Sequence, residues 1–169
     1  MLAPVSHLLL WRASVTFGNY LSIIGVMTLQ QQVPKNVLRA HKEAVSARFR
    51  AHAPYSKFQV GAAVVTPKGG IISGCNVENA SYGATVCAER VAIWKALSQG
   101  EKEFSDVVVV TDSDRPAFPC ALCLQVMAEF CLPETRVWIA NTKEILSNHR
   151  FQELLPHPFG PRQLNEASQ

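Results

Sequence analysis

The order of apolar segments along the chain is the feature that most restricts its fold. Two stretches, FQVGAAVVT and IISGCNV, are joined by the turn sequence PKGG, which predicts a β-hairpin. Two later stretches, DVVVVT and TRVWIA, are continuously apolar, as is typical of strands buried on both faces. Segments with helical periodicity separate these strands. A hairpin followed by strands that alternate with helices predicts a mixed sheet covered by helices on its faces.

The predicted helices are placed by periodicity and by residues typical of helix ends. The first covers about Lys35 to Arg50, where apolar positions recur along one face. The second covers about Cys87 to Ser98 and is followed by Gly100, since glycine is common just past a helix end. A third, CALCLQVMAEF, follows Pro119, and a short fourth helix is predicted around Phe151 to Leu155.

The length of 169 residues predicts one domain of ordinary size, preceded by an extension. We assign residues 1–32 to the extension and residues 33–169 to the domain. The extension contains one arginine and no acidic residue, and polar residues and glycines interrupt its apolar runs before they reach a membrane-spanning length. A targeting role is therefore a less favoured alternative, and a membrane span still less. Met27 offers another natural start for the domain.

Charge, cysteine and histidine content narrows the functional class. Six of the 16 Lys and Arg precede residue 51, where Glu43 is the one acidic residue. The rest of the chain is therefore slightly acidic. It lacks the basic stripe that is typical of a nucleic-acid binder. Five cysteines without a convincing signal peptide argue against a disulfide framework and favour a reducing compartment, taken to be the cytoplasm. The histidines lack ligand spacing, and His52, His149 and His157 are predicted in loops.

Three cysteines have the spacing of a metal site. Cys120 and Cys123 form a C-x-x-C pair at the start of a predicted helix, and Cys87 occupies the same position on the preceding helix. The unpaired amides and the dipole at a helix N-terminus favour the thiolate, which is the form that zinc binds. Alone, the C-x-x-C pair also suits a redox pair, half of a structural zinc site or two core cysteines. The third cysteine favours zinc.

Three protein ligands are typical of a catalytic zinc site, because a structural site normally closes with four. Glu89, two residues after Cys87, is then a candidate general acid and base. Otherwise it is a first-turn carboxylate favoured by the helix dipole. Cys75 is a less favoured fourth ligand. Cys131 lies roughly 12 Å along the helix from Cys123 at the usual helical rise, so we expect a buried core thiol there.

Six motifs follow one another along the chain: PYSKFQVGAAV, GCNVENASYG, CAER, PC with a second cysteine three residues on, QVMAEF and LLPHPFGP. This ordered set, from about Val33 to Pro161, resembles the cytidine deaminase family, the small zinc-dependent kind that acts on free nucleosides. The resemblance implies a three-layer α/β/α fold around a mixed, mostly five-stranded sheet. It also implies one zinc ion per subunit on Cys87, Cys120 and Cys123.

The resemblance assigns roles to further residues of the chain. Glu89 would move protons while water attacks C4 of cytosine and ammonia leaves. Asn76 and Glu78 would hold ribose hydroxyls, Phe58 would pack against the pyrimidine, and the backbone amide of Ala88 would help hold the base. Without the resemblance, Asn76 and Glu78 would be interpreted as ordinary turn residues. Phe58 would be interpreted as a core residue of a strand.

Two aromatic residues and one arginine complete the expected site. Tyr82 and Phe159 resemble residues that close such sites from neighbouring subunits, which implies a homotetramer; otherwise they are loop aromatics. Arg90 would hydrogen-bond the ligand sulfurs and offset their charge, or else be a surface helix residue. The sequence departs from the family pattern P-C-G-x-C-R-Q at Ala121 and Leu124, which removes one cation near the metal helix.

The resemblance predicts hydrolytic deamination of free cytidine and 2'-deoxycytidine to uridine and 2'-deoxyuridine, in pyrimidine salvage. An inactive, zinc-stabilised structural or regulatory homologue remains an alternative, motivated by Leu124 and Cys75. A deaminase of cytosine in RNA or DNA, or of another cytosine-containing nucleoside, is a further alternative. A polynucleotide editor more often has histidine at the position of Cys87 and needs a basic groove. We expect neither a stable nucleic-acid partner nor a membrane partner.

Overall fold

The structure, a computed structural model, describes residues 29–160 and residue 163. The chain divides into two units between Gln32 and Val33, and the unit that begins at Val33 carries the fold described below. Of the predicted extension, the described part is Leu29–Gln32, one turn of 3₁₀ helix. The predictions about Met27 and about targeting concern residues outside the described part. Within it, no helix combines the length and the apolar character that crossing a membrane requires.

Helices and strands alternate after an initial hairpin, as predicted. The described elements are α1 (Lys35–Arg48), β1 (Gly61–Val65), β2 (Ile71–Cys75), α2 (Ala88–Ser98), β3 (Phe104–Val110), α3 (Ala121–Phe130), β4 (Cys131–Ala140), β5 (Ile145–Arg150) and α4 (Phe151–Leu154). A 3₁₀ turn, Tyr82–Ala84, precedes α2. The hairpin, the two continuously apolar strands and the four helices are therefore confirmed, with boundaries that differ by a few residues.

The strands form one mixed sheet in the order β2-β1-β3-β4-β5. β3 and β4 are parallel, and each of the other neighbouring pairs is antiparallel. The parallel pair is connected through α3, because two parallel strands need a crossover. The sheet agrees with the expected fold class.

The sequence patterns located four of the five strands and did not locate β5. β5 pairs with β4, and His149, which was predicted in a loop, lies in this strand opposite Val137. That prediction is wrong because β5 lies at one edge of the sheet. Most of its residues are only half-buried, so the segment ILSNHR lacks the apolar run that marks a buried strand.

Helices cover both faces of the sheet, and two glycines show which helix lies on which face. A Cβ on Gly61 would overlap the carbonyl oxygen of Ala44 in α1, whereas a Cβ on Gly74 would lie 2.6 Å from the amide nitrogen of Ala92 in α2. Gly74 pairs with Ala62, the neighbour of Gly61, and successive residues of a strand face opposite sides. α1 and α2 therefore pack on opposite faces.

The side of the sheet that carries α2 also carries α3 and α4. Ala88 of α2, Met127 of α3 and Phe151 of α4 belong to one buried cluster with Val107 and Val109 of β3. Val108 and Val110, which alternate with these two valines along β3, face α1 on the other side of the sheet and are fully buried as well. These contacts give three layers, and they place α2 and α3 side by side on one face of the sheet.

Candidate active site

The N-termini of α2 and α3 bring the three predicted cysteines together. Cys87 and Cys120 are the residues before the two helices, and both have extended backbones, with φ −73° and ψ 155° for the first and φ −70° and ψ 164° for the second. The Sγ atoms of Cys87 and Cys120 are 3.9 Å apart, and those of Cys120 and Cys123 are 3.5 Å apart. All three sulfurs lie within 4.8 Å of one another.

This arrangement fits a zinc ion. Three thiolates at about 2.3 Å from a tetrahedral zinc would be about 3.8 Å apart, close to the two observed sulfur separations. Among the described residues, no other histidine, cysteine or carboxylate joins the group. Cys75, the less favoured fourth ligand, ends β2 opposite Gly61 and is not part of it. Three thiols therefore leave one position for water.

The thiols differ in their tendency to ionise. A hydrogen bond with the Cys123 thiol, and after it one with Arg90, lowers the pKa of Cys87 to about 5. The same hydrogen bond, together with burial, raises the pKa of Cys123. Zinc binds thiolates, so its binding would displace the proton that the cluster retains. Cys131 is only 9% exposed, and burial raises its pKa to about 12, as expected of a core thiol.

Glu89 lies in the first turn of α2, beside the sulfur cluster. Its side chain lines a cavity together with Cys87 and Cys120, although the residue is only 4% exposed. Burial raises the pKa of this carboxyl, and the negative charge of the Cys87 thiolate raises it further. A carboxyl group with a raised pKa is suited to accept and release protons near neutral pH.

The Arg90 side chain, in the first turn of α2, is partly buried and contacts the residues that precede its own helix. Its guanidinium donates to the carbonyl oxygen of Thr85 at 3.2 Å and to Sγ of Cys87 at 3.7 Å. Its Nε is buried without a hydrogen-bond partner, and its Cζ lies 5.8 Å from the centroid of the Trp94 ring. Leu124, which stands where a second cation was expected, packs partly buried against the core. Arg90 thus places a positive charge in contact with the sulfur cluster.

The cavity beside the cluster has a volume of about 300 Å³, within the range of small-molecule sites. The three predicted residues Phe58, Asn76 and Glu78 all line it. The cavity therefore joins the cysteines and Glu89 to the residues expected to hold the base and the sugar.

Two polar residues of this cavity, Asn76 and Glu78, are already hydrogen-bonded to backbone groups of the protein. Asn76 is 8% exposed; its Oδ1 accepts from the amide of Val60 at 2.8 Å, and its Nδ2 donates to the carbonyl of Phe58 at 2.9 Å. Glu78 is partly exposed, and its Oε2 accepts from the amides of Tyr55 at 2.9 Å and Ser56 at 3.2 Å. These bonds fix both side chains before any ligand binds.

Three further predicted residues, Ala88, Tyr82 and Phe159, are not among the residues that line this cavity. Ala88 is fully buried, and as the first residue of α2 it has an amide without a partner within the helix. Tyr82 and Phe159 are 77% and 58% exposed and do not line the cavity beside the cysteines. Tyr82 instead lines an adjoining cavity that shares Glu78.

Several residues that sequence reasoning did not assign to the site also line the cavity, among them Ser56, Thr111 and Phe118. Phe118 is two residues before Cys120, so its proximity to the metal motif could have indicated it. Its ring packs edge-to-face on His149 with the centroids 5.1 Å apart. Thr111 follows a buried strand and carries no signal of its own in the sequence.

A family model described as the cytidine and deoxycytidylate deaminase zinc-binding region matches residues 34–139. The chain belongs to this family. The matched region contains Glu89 and the three clustered cysteines. Cys87, Cys120 and Cys123 are therefore suited to bind the zinc ion that characterises the family.

Relatives and solved structures agree with the family assignment. The chain is 46% identical over 125 residues to a cytidine deaminase of Halalkalibacterium halodurans, covering 74% of this chain and 95% of the relative. It is 42% identical over 127 residues to a cytidine deaminase of Sporosarcina psychrophila, covering 75% and 93%. A crystal structure of cytidine deaminase from Burkholderia pseudomallei is similar with a TM-score of 0.69 and 42% identity, covering 72% of this chain and 98% of that one.

Proposed function

We propose that this protein is a zinc-dependent deaminase of free cytidine and 2'-deoxycytidine, which it hydrolyses to uridine and 2'-deoxyuridine with release of ammonia. The observation that carries the proposal is the convergence of three thiols, with sulfur separations of 3.5 and 3.9 Å, two of which line one cavity together with the buried carboxyl of Glu89. The relatives named cytidine deaminases, which the chain matches over nearly their full length, support this substrate.

Zinc, when bound, supplies Lewis-acid chemistry that activates a water molecule for attack on C4 of the cytosine ring. Glu89 transfers both protons of that water in turn, one to ring N3 and one to the departing amino nitrogen. The water oxygen first adds to C4, and the C4–N bond then breaks as the C4–O single bond becomes the carbonyl double bond, so the products are a uracil ring and ammonia. Its burial keeps Glu89 beside the reacting atoms and away from bulk water.

Other residues of the cavity bind and orient the substrate. The ring of Phe58 packs against the pyrimidine, and the free amide of Ala88 donates to the base. Asn76 and Glu78 hold the sugar hydroxyls. Arg90 offsets the negative charge of the thiolates through its contact with Cys87.

Replacing Glu89 with glutamine tests the proposal. The zinc-loaded wild type should deaminate cytidine, whereas Glu89→Gln should retain one zinc per chain and lose roughly 100-fold to 10,000-fold of the rate, the usual contribution of proton transfer. Glu129→Gln, a change on the exposed part of α3, serves as the control and should keep full activity. A wild type that turns over no cytosine nucleoside would favour the inactive homologue. Turnover of an RNA oligonucleotide alone would favour the polynucleotide deaminase.

We further propose a homotetramer whose sites are completed by Tyr82 and Phe159 of neighbouring subunits. The exposure of both rings, and their absence from the cavity lining of their own chain, support this assembly. We place the enzyme in pyrimidine salvage in the cytoplasm. Five free thiols, including an accessible cluster, suit a reducing compartment.

A further inference from the structure

A single hydroxyl group, that of Ser56, holds two residues of the proposed substrate site at once. It donates to Oε1 of Glu78 and accepts from the backbone amide of Phe58 at 3.0 Å. A carboxylate oxygen only accepts and a backbone amide only donates, so the hydroxyl proton has to point at Glu78. The side chain of Ser56 therefore has one orientation that satisfies both partners.

The backbone around Ser56 is shaped to present these groups. Lys57 has a φ of 59°, in the left-handed region that a non-glycine residue rarely adopts. Its amide donates to the carbonyl oxygen of Ala53 at 3.1 Å, which closes the turn. The amides of Tyr55 and Ser56 then both point at Oε2 of Glu78. An unfavourable backbone conformation persists where the surrounding contacts determine it, and here those contacts include the Glu78 carboxylate.

The number of donors around Glu78 limits what else this carboxylate can bind. A carboxylate offers about four acceptor sites, two on each oxygen. The two amides occupy Oε2, and the Ser56 hydroxyl occupies one site on Oε1. One site on Oε1 remains. Glu78 lines the cavity that contains Cys87 and Glu89, so this remaining site is available to one hydroxyl of a bound molecule.

The same turn also fixes Phe58. The amide of Phe58 donates to Ser56, and its carbonyl oxygen accepts from Asn76 at 2.9 Å, so both of its backbone polar groups are bound within the site. Phe58 lines the cavity and is 45% exposed. Loss of the Ser56 hydroxyl would therefore release one anchor of the aromatic ring and one anchor of the carboxylate together.

We propose that Ser56 is the positioning residue for the sugar end of the substrate: it holds Glu78, to which the family resemblance already assigns a sugar hydroxyl, so that a single acceptor site of this carboxylate remains for the contact. The inference rests on the proposed deamination of free nucleosides. The hydrogen bond from Ser56 is the leading cause of the lowered pKa of Glu78, which agrees with a carboxylate kept ionised for this contact. Ser56 does not touch the reacting atoms, so it acts on binding rather than on chemistry.

Steady-state kinetics of Ser56→Ala test the proposal. With cytidine, KM should rise about tenfold, the effect of losing a hydrogen bond to a charged group, while kcat changes little. Ser56→Thr keeps the hydroxyl and should restore the wild-type KM. Ser98→Ala, at an exposed serine at the end of α2, is the matched control and should leave both constants unchanged. A fall in kcat with an unchanged KM would overturn the proposal.

Three analogues that each lack one hydroxyl, 2'-deoxycytidine, 3'-deoxycytidine and 5'-deoxycytidine, identify the contact. The KM difference between wild type and Ser56→Ala should shrink markedly for one of the three and persist for the other two. An equal difference for all three would show that Glu78 reads no single hydroxyl, and would overturn that part of the proposal.

A titration of the Glu78 carboxyl by NMR separates this inference from the proposed function. The pKa of Glu78 should be higher in Ser56→Ala than in the wild type, whether or not the protein turns over any nucleoside. A wild type without deaminase activity would thus contradict the proposed function alone. An unchanged Glu78 pKa in Ser56→Ala would contradict the positioning role while activity stands.

Discussion

Arg90 and Arg136 make the same kind of contact with a tryptophan, but only Arg90 also reaches a metal-ligand cysteine. In each pair the guanidinium carbon lies 5.8 Å from the ring centroid. Arg90→Ala should lower zinc affinity by about 10-fold to 100-fold, as is usual for residues that support metal ligands, because the thiolate of Cys87 loses its cationic neighbour. Competition with a chromophoric chelator measures this affinity.

Arg136→Ala is the control for that measurement. It removes an equivalent arginine–tryptophan contact in β4, which contributes no residue to the sulfur cluster, and should leave zinc affinity unchanged. Equal zinc affinities of wild type and Arg90→Ala would exclude the proposed charge compensation. Equal losses in both variants would assign the effect to general loosening of the fold.

Residues that carry their own chemistry could be predicted from the sequence, and residues that act through tertiary contacts could not. Cys87, Cys120 and Glu89 could be identified because thiols and a carboxylate with this spacing at helix starts are typical of a catalytic zinc site. Glu78 could be named only through the family resemblance. Ser56 lies in the motif PYSKFQVGAAV, but its role could not be predicted, because its partner Glu78 lies 22 residues away and a serine in a turn is ordinary.

At the scale of elements, Gly74 sets the distance between β2 and the helix that begins at the metal site. A Cβ there would lie 2.6 Å from the Ala92 amide and 3.0 Å from the Ala88 carbonyl oxygen, both backbone atoms that cannot rotate away. Gly74→Ala should therefore destabilise the fold by about 1–3 kcal/mol, the usual cost of overpacking, and should displace the start of α2. Because the sulfurs must stay within bonding distance of one ion, zinc affinity should fall as well.

Gly61→Ala provides the comparison, because it overpacks the opposite face of the sheet, against Ala44 of α1. Thermal unfolding should show a lower Tm for both variants, whereas calorimetric zinc titration should show a weaker site only for Gly74→Ala. Wild-type zinc affinity in folded Gly74→Ala would mean that the first turn of α2 adjusts without moving the cysteine.

The elements that the sequence predicts well are those buried on both sides. β3 is continuously apolar because helices cover both of its faces, and it was placed almost in full. β1 begins three residues later than the apolar pattern indicates, at Gly61, because side-chain atoms of Asn76 rather than a neighbouring strand bind the backbone of Phe58 and Val60. β5 was missed because an edge strand needs no apolar run.

At the scale of the whole molecule, the proposed tetramer gives each site residues from more than one chain. Glu89 would act in the site of its own chain, whereas Phe159, exposed and absent from that cavity, would act in a neighbour's. A homo-oligomer with shared sites has a direct consequence. Two inactive variants can restore activity when their subunits mix, provided that each supplies the residue that the other lacks.

Glu89→Gln and Phe159→Ala should each have low activity alone, and their equimolar mixture, after dissociation and reassembly, should recover activity. Random mixing of subunits puts an intact Glu89 and an intact Phe159 together in about one quarter of the sites, so recovery should approach that fraction of wild-type activity. Glu89→Gln mixed with Cys123→Ser is the control, because both changes affect the same chain's site and no mixture repairs it. No recovery in the first mixture, despite mixed oligomers detected by native mass spectrometry, would place Phe159 outside the neighbour's site.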